Sequence, residues 1–173
     1  MPRTWLSIRV DLLGGGTDGP LWPTPGRVLA VGPSHTFADL AAAIDDAFAR
    51  WDRRHLYEFT LADGRRIGVP DEDDDEPALD AVRVKVGRTV ELGSEFRYFF
   101  DFGDRWTHRC TVEPHEVDPL DVLGIVPPEP LPTFGWGCIP DQYGRTWYDD
   151  DASPPTQAEP DPMLAPGWPH VRS

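Results

Sequence analysis

The chain has 173 residues, with 30 acidic and 16 basic side chains, which gives a formal net charge of −14 at pH 7. No apolar run approaches the ~20 residues that a membrane-spanning helix needs, and the first residues lack the order of a signal peptide, so we expect a cytosolic protein without a membrane partner. The acidic surplus also disfavours nucleic acid as a partner, because its phosphates require clustered Lys and Arg.

Charge and proline are distributed unevenly along the chain. The formal balance is −5 over residues 1–110 and −9 over residues 111–173, and thirteen of the 20 prolines lie in the last sixty residues. This shift predicts a folded N-terminal unit and a C-terminal third of wrapping coil and tail. We expect one domain over residues 1–151 and a Pro-rich tail over residues 152–173.

The two cysteines, Cys110 and Cys138, are 28 positions apart and form no CxxC pair. This spacing supports neither a zinc site nor a redox dithiol, and a structural disulfide is disfavoured in a reducing cytosol. We predict two free thiols that pack as small apolar groups.

The first part of the chain predicts two strands, a helix and a third strand. Alternating apolar residues over 4–13 indicate a strand, and a Gly/Pro-rich connection leads to a second strand over 27–31. Apolar residues at helical spacing, preceded by Thr36 as a natural N-cap, predict a helix over 37–49. Residues 56–61 form the third predicted strand.

The middle of the chain predicts two further strands around an acidic loop. Residues 67–69 form a short predicted strand, and residues 71–76, DEDDDE, form a solvated loop. Residues 79–86 predict another strand because three valines alternate on its inward side: Val82, Val84 and Val86.

An aromatic hairpin follows. Residues 96–102 and 106–112 predict two strands joined by a turn at Gly103 and Asp104. The whole pattern predicts an α+β fold, with a mixed, mainly antiparallel sheet and one main helix packed on it. Its element order is β-β-α-β, followed by the hairpin and a Pro/Gly-rich C-terminal segment.

Three stretches of the sequence resemble a known family. They are PLWPTPGRVLAV with the following TFADLAAAIDDAF and RWDRRHLYEF, then FRYFFDFGDRWTHRCTVE, and then GWGCIPDQYGRTWYDDD. In this order they resemble the plasmid pRiA4b ORF-3-like family, over about residues 5–151. The resemblance implies a stand-alone α+β domain without an established biochemical function. It also implies an association with mobile elements, where some members are labelled TnpR-like insertion-element passengers.

The sequence departs from the family pattern in three places. Tyr57 replaces the second His of the family's "HLHxF" strand, which weakens any two-His metal site. Ile139 to Gln142 replace the family's Pro-Pro-Glu-Asp run, and a Pro-rich tail replaces the usual helical C-terminus.

Polar residues of the hairpin and of the third strand form the candidate binding site. Asp and His side chains can hold a divalent ion, and a carboxylate–imidazole pair can act as a general acid or base. The alternative is structural, because Asp-Phe-Gly-Asp is also good turn chemistry and a histidine under a sheet can simply satisfy a carboxylate. The candidate residues are His55, Glu58, Asp101, Asp104, Trp106 and His108.

A cluster of arginines forms a candidate anion patch. Such a patch could hold a phosphate or nucleic acid, or it could neutralise the acidic loop at 71–76, which we favour. Its members are Arg50, Arg53, Arg54, Arg65 and Arg66.

The sequence is rich in tryptophan, with seven such residues. Three lie in periodic segments and are predicted to be core: Trp5, Trp51 and Trp106. Four lie in Pro/Gly-rich coil, where they either staple the coil to the sheet or present a surface to a partner: Trp22, Trp136, Trp147 and Trp168. Trp168 is the best candidate for an exposed anchor.

The residues show no convergent nucleophile–base set, so the favoured function is a non-catalytic protein-interaction or regulatory module whose partner is another protein. One alternative is a metal-dependent or acid–base enzyme that uses His55, Asp101, Asp104 and His108. A second is a nucleic-acid-associated accessory protein. No cofactor is predicted beyond the divalent metal of the enzyme alternative.

Overall fold

In the computed structural model, the structure describes residues 4–17 and 19–144. The predicted tail at 152–173 lies outside the described residues, as do Trp147 and Trp168. The strands are β1 Trp5–Gly15, β2 Gly19–Pro20, β3 Gly26–Val31, β4 Tyr57–Leu61, β5 Arg66–Gly68, β6 Leu79–Asp80, β7 Glu95–Phe100, β8 Trp106–Val117 and β9 Leu131–Trp136. The helices are α1 Phe37–Ala47 and α2 Pro119–Leu123, with a 3₁₀ turn at Val86–Arg88.

The strands form one mixed sheet in the order β6-β5-β4-β7-β8-β1-β3-β9, with β2 paired to β1. Every pairing is antiparallel except that of β5 with β6. One main helix accompanies this sheet, which confirms the predicted α+β class. Within the described ranges, no helix is long and apolar enough to cross a membrane.

Strand β1 lies in the middle of the sheet, between β8 and β3. Ile8, Val10 and Leu12 are fully buried, and Ile8 stands opposite both Leu29 of β3 and Val112 of β8. Burying each such side chain contributes about 1.5–3 kcal/mol. The predicted hairpin of the first two long strands, with its long connection, is confirmed.

Helix α1 begins with a complete capping box. The Thr36 hydroxyl accepts from the backbone N–H of Asp39, and the Asp39 carboxylate accepts from that of Thr36. The helix ends at Ala47 rather than at the predicted Ala49. Ala49 has a φ of 54°, so the chain turns away there, and the N–H of Arg50 returns to the carbonyl of Asp45.

The strand predicted over 79–86 is wrong. Strand β6 is two residues long, because the Asp80 carboxylate accepts a hydrogen bond from the N–H of Val82 and closes a turn. Val82 is 68% exposed rather than inward, while Val86 enters the core from the 3₁₀ turn. The acidic loop before β6 is exposed, as predicted.

The C-terminal third contains more regular structure than the predicted coil. Strand β8 continues to Val117, α2 follows, and β9 pairs with β3. Pro132 lies within β9 opposite Leu29, which is tolerated at the end of the sheet because no further ladder bond is needed there.

The three tryptophans that were predicted to lie in the core differ in burial. Trp5 and Trp106 are buried as expected, but Trp51 is 49% exposed because the chain leaves the helix before reaching it. Trp136 staples its strand to the sheet by donating from its indole nitrogen to the carbonyl of Thr24 over 3.1 Å. Trp22 is exposed. Both cysteines are free, as predicted. Cys110 is buried, but Cys138 is exposed rather than packed as a small apolar group.

Candidate functional site

The β7–β8 hairpin positions most of the candidate residues. Tyr98 of β7 stands opposite His108 of β8, and Phe100 stands opposite Trp106. Alternation along β8 turns Trp106 and His108 inward, where both are buried, and turns Arg109 to the opposite face. The predicted hairpin is confirmed.

The hairpin turn is built around Asp101. This residue has a φ of 61°, a conformation that Asp tolerates because its short side chain bonds locally. One carboxylate oxygen accepts from the N–H groups of Gly103 and Asp104, at 3.0 and 3.3 Å. The other oxygen lies 3.5 Å from Nδ1 of His55. The carboxylate therefore shapes the turn and faces the imidazole at once.

A surface group of four side chains, here the His55 cluster, comprises His55, Asp52, Asp101 and Tyr143. Nε2 of His55 lies 2.8 Å from the Tyr143 hydroxyl, which donates to Asp52 over 3.1 Å. Hydrogen bonds from Arg54 hold the pKa of Asp52 well below its ordinary value. Partial desolvation and the bond to Asp52 raise the pKa of Tyr143.

Gln142 attaches the segment that carries Tyr143. Its side-chain oxygen accepts from the backbone N–H groups of Trp51 and Asp52, both at 3.0 Å, and its amide donates to the carbonyl of Asp52 over 2.9 Å. The sequence prediction missed Asp52, Gln142 and Tyr143. Gln142 and Tyr143 belong to the segment GWGCIPDQYG, which resembles the family's late motif. This resemblance was the available signal, but the segment contains no pattern typical of a catalytic or metal-binding site.

A second group, here the internal polar network, comprises Asp45, Arg50, Tyr98 and His108. Arg50 donates from Nη2 to Nε2 of His108 over 3.2 Å, so the imidazole proton lies on Nδ1, 3.1 Å from the carbonyl of Tyr98. The Tyr98 hydroxyl donates to Asp45 over 2.9 Å. The Arg50 guanidinium also stacks on the ring of Trp106, 4.5 Å from its centre.

Burial sets the protonation of this network. Desolvation raises the pKa of Asp45 to about 7, against the opposing bond from Tyr98, and lowers the pKa of Arg50 to about 10. Desolvation and the neighbouring Arg50 charge hold the pKa of His108 well below its usual range. His108 is therefore a neutral core residue with both ring nitrogens occupied.

The structure divides the predicted cluster. His55 and Asp101 lie together beside the hairpin turn, whereas His108 lies in the core. The charge of Asp104 helps to raise the pKa of Tyr143, and Glu58 lies on the other face of the sheet, 3.4 Å from Arg66. Across residues 4–17 and 19–144, no three His, Cys, Asp or Glu side chains are arranged to hold a metal ion.

The five arginines of the predicted anion patch have separate surroundings. Arg50 is buried in the internal polar network. The other four each face a carboxylate, in the pairs Arg53–Asp46, Arg54–Asp52, Arg65–Asp63 and Arg66–Asp74. Arg66 thus contacts the acidic loop, through Asp74 and the carbonyl of Glu76.

A third surface was not predicted. The side chains of β4, β7, β8 and β1 that point away from the core form what we call the open sheet face. Thr60, Arg97, Arg109 and Asp11 stand side by side across these four strands. No described element covers Thr60, Arg97 or Arg109, which are all half-buried.

At one end of the open sheet face lies a shallow depression lined by Phe99, Phe102, Arg105, Glu58 and Thr60. Phe102 is 52% exposed, and the Arg105 guanidinium lies 5.7 Å from the ring centre of Phe99. The hairpin turn therefore carries Asp101 toward the His55 cluster and Phe102 toward the open sheet face.

The fold and these surfaces define a small α+β domain built on one mixed sheet. The chain belongs to the plasmid pRiA4b ORF-3-like family, whose sequence profile matches residues 7–127. It is 34% identical over 99 residues to the uncharacterized protein y4hQ of Sinorhizobium fredii, covering 56% of this chain and 48% of y4hQ. The chain therefore spans about half the length of this curated relative.

A crystal structure of a protein of unknown function from Methanosarcina mazei Go1 has a similar fold. The TM-score is 0.65 at 24% sequence identity, over 83% of this chain and 76% of the other. At this identity the likeness shows the fold alone. Neither relative's name states a ligand or an activity.

Proposed function

We propose that this protein is a non-catalytic interaction module that binds a partner protein through the open sheet face. The observation that carries the proposal is the depression at the hairpin turn, where Phe99, Phe102 and Arg105 meet on a surface that no described element covers. Aromatic and arginine side chains are the residue types that dominate binding energy at protein interfaces.

The depression has features that are typical of the centre of a protein interface. Phe102 exposes half of its surface at the tip of the turn, while Phe99 is held within β7, so one ring can adapt and the other is fixed. Arg105 supplies a charge beside the apolar rings, and Glu58 and Thr60 supply polar groups around them. A partner that covers such a patch removes apolar area from water, and the polar groups around the rings orient the partner.

The acid–base enzyme alternative has weaker support from the geometry. Its four residues would have to converge, but His108 is buried in the core with both ring nitrogens bonded. The remaining surface pair is itself bonded to Asp52 and Tyr143, so its polar atoms are engaged within the protein.

A protein partner is favoured over nucleic acid by charge. The chain carries a formal charge of −14. A polyanion with a charge at every nucleotide would meet repulsion from a chain of this net charge. A folded partner needs only local complementarity at the depression.

Affinity capture tests the proposal when paired with a direct binding measurement. Proteins retained by the wild type are identified by mass spectrometry, and the dissociation constant of the purified partner is then measured by calorimetry. We expect Phe102→Ser to weaken this binding by about tenfold or more, because truncating an interface anchor typically costs over 1.4 kcal/mol.

Val82→Ser is the matched control, because Val82 is also an exposed apolar residue but lies in the turn after β6, outside the open sheet face. It should bind like the wild type. Equal binding by Phe102→Ser and the wild type would contradict the proposal, as would a partner lost equally by both variants.

A further inference from the structure

The open sheet face holds three arginines around a single carboxylate. Asp11 is fully buried and accepts from Arg9 over 3.0 Å and from Arg109 over 3.3 Å. Arg9 is further held against the ring of Trp136, 4.6 Å from its centre. Asp11 therefore engages two of the arginines and leaves the third, Arg97, without a carboxylate.

The Arg97 side chain makes no hydrogen bond or ion pair with any residue that the structure describes, and its Nη1 is shielded from solvent without a partner. Its cross-strand neighbour in β8 is Arg109, directly opposite. Like charges in this position destabilise a sheet, and the shielded Nη1 without an acceptor adds a further cost. An anion bound at the accessible edges of the two guanidinium groups would offset the repulsion between them.

The charge count identifies the class of anion. Arg9, Arg97 and Arg109 carry three positive charges and Asp11 one negative charge, so the group has a surplus of two. Glu95, two residues along β7 on the same face, is exposed to solvent, which screens its charge. A phosphate monoester carries a charge of about −1.5 to −2 at pH 7 and presents three acceptor oxygens to forked guanidinium groups.

We propose that Arg97 and Arg109 form a binding site for a phosphoryl group carried by a side chain of the partner protein. This inference rests on the proposed function, because the site adjoins the depression on the open sheet face: Arg97 stands opposite Thr60, which lines the depression. A phosphorylated partner would place its apolar residues over Phe99 and Phe102 and its phosphoryl group between the arginines.

Inorganic phosphate is the first probe, because it tests the anion site without any partner. NMR spectra of the arginine side-chain Nε–H groups are followed in the full-length protein during a phosphate titration at constant ionic strength and pH 7.5. We expect saturable shifts at Arg97 and Arg109, and a dissociation constant at least about tenfold weaker in Arg97→Ala. Arg97→Lys keeps the charge but lacks the forked guanidinium group, so its dissociation constant should lie between those of the wild type and Arg97→Ala.

Arg88→Ala is the matched control, because Arg88 is an exposed arginine in the 3₁₀ turn, outside the sheet. It removes the same charge and should leave phosphate binding unchanged. Shifts without saturation, or equal loss of affinity in Arg88→Ala and Arg97→Ala, would overturn the anion site. Backbone NMR spectra show whether each variant is folded. If Arg97→Ala does not fold, Arg97→Lys still tests the anion site.

The source of the phosphoryl group is tested with a phosphoserine peptide, its unphosphorylated twin and a single-stranded oligonucleotide. Tighter binding of the phosphoserine peptide than of both others supports the proposal. Preference for the oligonucleotide, or equal binding of the two peptides, would overturn it. If phosphate does not bind, the proposed function is still tested by Phe102→Ser. If no partner protein binds the open sheet face, the anion site is still tested by the phosphate titration. The two proposals can therefore fail separately.

Discussion

Replacing Asp45 with Asn should make the protein more stable at neutral pH and should remove part of its pH dependence. The carboxyl group lies in the core beside the hydroxyl of Tyr98, and burial raises its pKa from 3.8 to about 7. Asn has nearly the same shape, and its side-chain oxygen can still accept from Tyr98. The substitution therefore removes the ionisation of Asp45 and keeps its contact.

The sign and size follow from proton linkage. The folded state keeps the Asp45 proton in a pH range where the unfolded chain has lost it. The stabilisation is therefore full below about pH 4 and is lost as the pH rises through about 7. The rise in the pKa of Asp45 from 3.8 to about 7 corresponds to about 4 kcal/mol. The stability of Asp45→Asn relative to wild type should increase by up to that amount between pH 4 and pH 8.

Urea unfolding at several pH values between 4 and 8 measures this difference. The depressed pKa of His108 acts in the opposite direction, since it costs stability below about pH 6.5, but His108 is present in both proteins and cancels in the comparison. A difference that stays flat across this range, or one that shrinks as the pH rises, would refute the assignment of Asp45 as a carboxyl group kept protonated by burial.

Three further substitutions test other parts of the structure. His108→Ala removes the acceptor of Arg50 and leaves a cavity, so urea unfolding should show a loss of about 2–4 kcal/mol without a change in metal content by elemental analysis. Gly26→Ala would place a Cβ atom 2.1 Å from the ring of Trp136, and the same assay should show a loss of about 1–3 kcal/mol. Gln142→Ala unpairs two backbone N–H groups, whose hydrogen exchange should accelerate by about tenfold or more.

Two of these substitutions have a control variant. Gly87→Ala adds a Cβ atom whose nearest neighbour is 3.8 Å away, so it should change stability little; a cost equal to that of Gly26→Ala would contradict the close packing on Trp136. Gln142→Glu keeps an acceptor oxygen but loses the donor and adds a negative charge beside the carbonyl of Asp52, so the exchange rates should lie between those of the wild type and Gln142→Ala. A metal content that falls with His108→Ala would contradict the assignment of His108 as a core residue.

The fold could be predicted wherever one segment contained its own pattern. The alternation of β1, the capping box of α1 and the aromatic hairpin of β7 and β8 are local signals, and each appears in the structure. Residues 79–86 contain a misleading local signal. The valines alternate as in a strand, but the Asp80 side chain closes a turn that outweighs this alternation.

Strand β9 could not be predicted because its stabilising contacts are distant in sequence. Pro132 and Gly135 disfavour a strand locally, but the segment pairs with β3 and its Trp136 ring packs on Gly26. Without the partner strand in view, a Pro/Gly-rich segment is typical of coil.

The candidate site was predicted by residue type and not by face. His108 and Asp101 are close in sequence, yet the strand alternation places His108 in the core and the turn places Asp101 beside His55. The open sheet face was missed because its arginines come from three strands that only the sheet order brings together: Arg9 from β1, Arg97 from β7 and Arg109 from β8.

Hydroxyl-radical footprinting of the complex with the captured partner tests the central claim most directly. The protein carries exposed aromatic side chains at both candidate surfaces: Phe102 at the depression, and Trp51 and Tyr143 at the His55 cluster. Binding through the open sheet face predicts that Phe102 becomes protected from oxidation while Trp51 and Tyr143 react as in the free protein. Protection of Trp51 and Tyr143 with unchanged oxidation of Phe102 would contradict it.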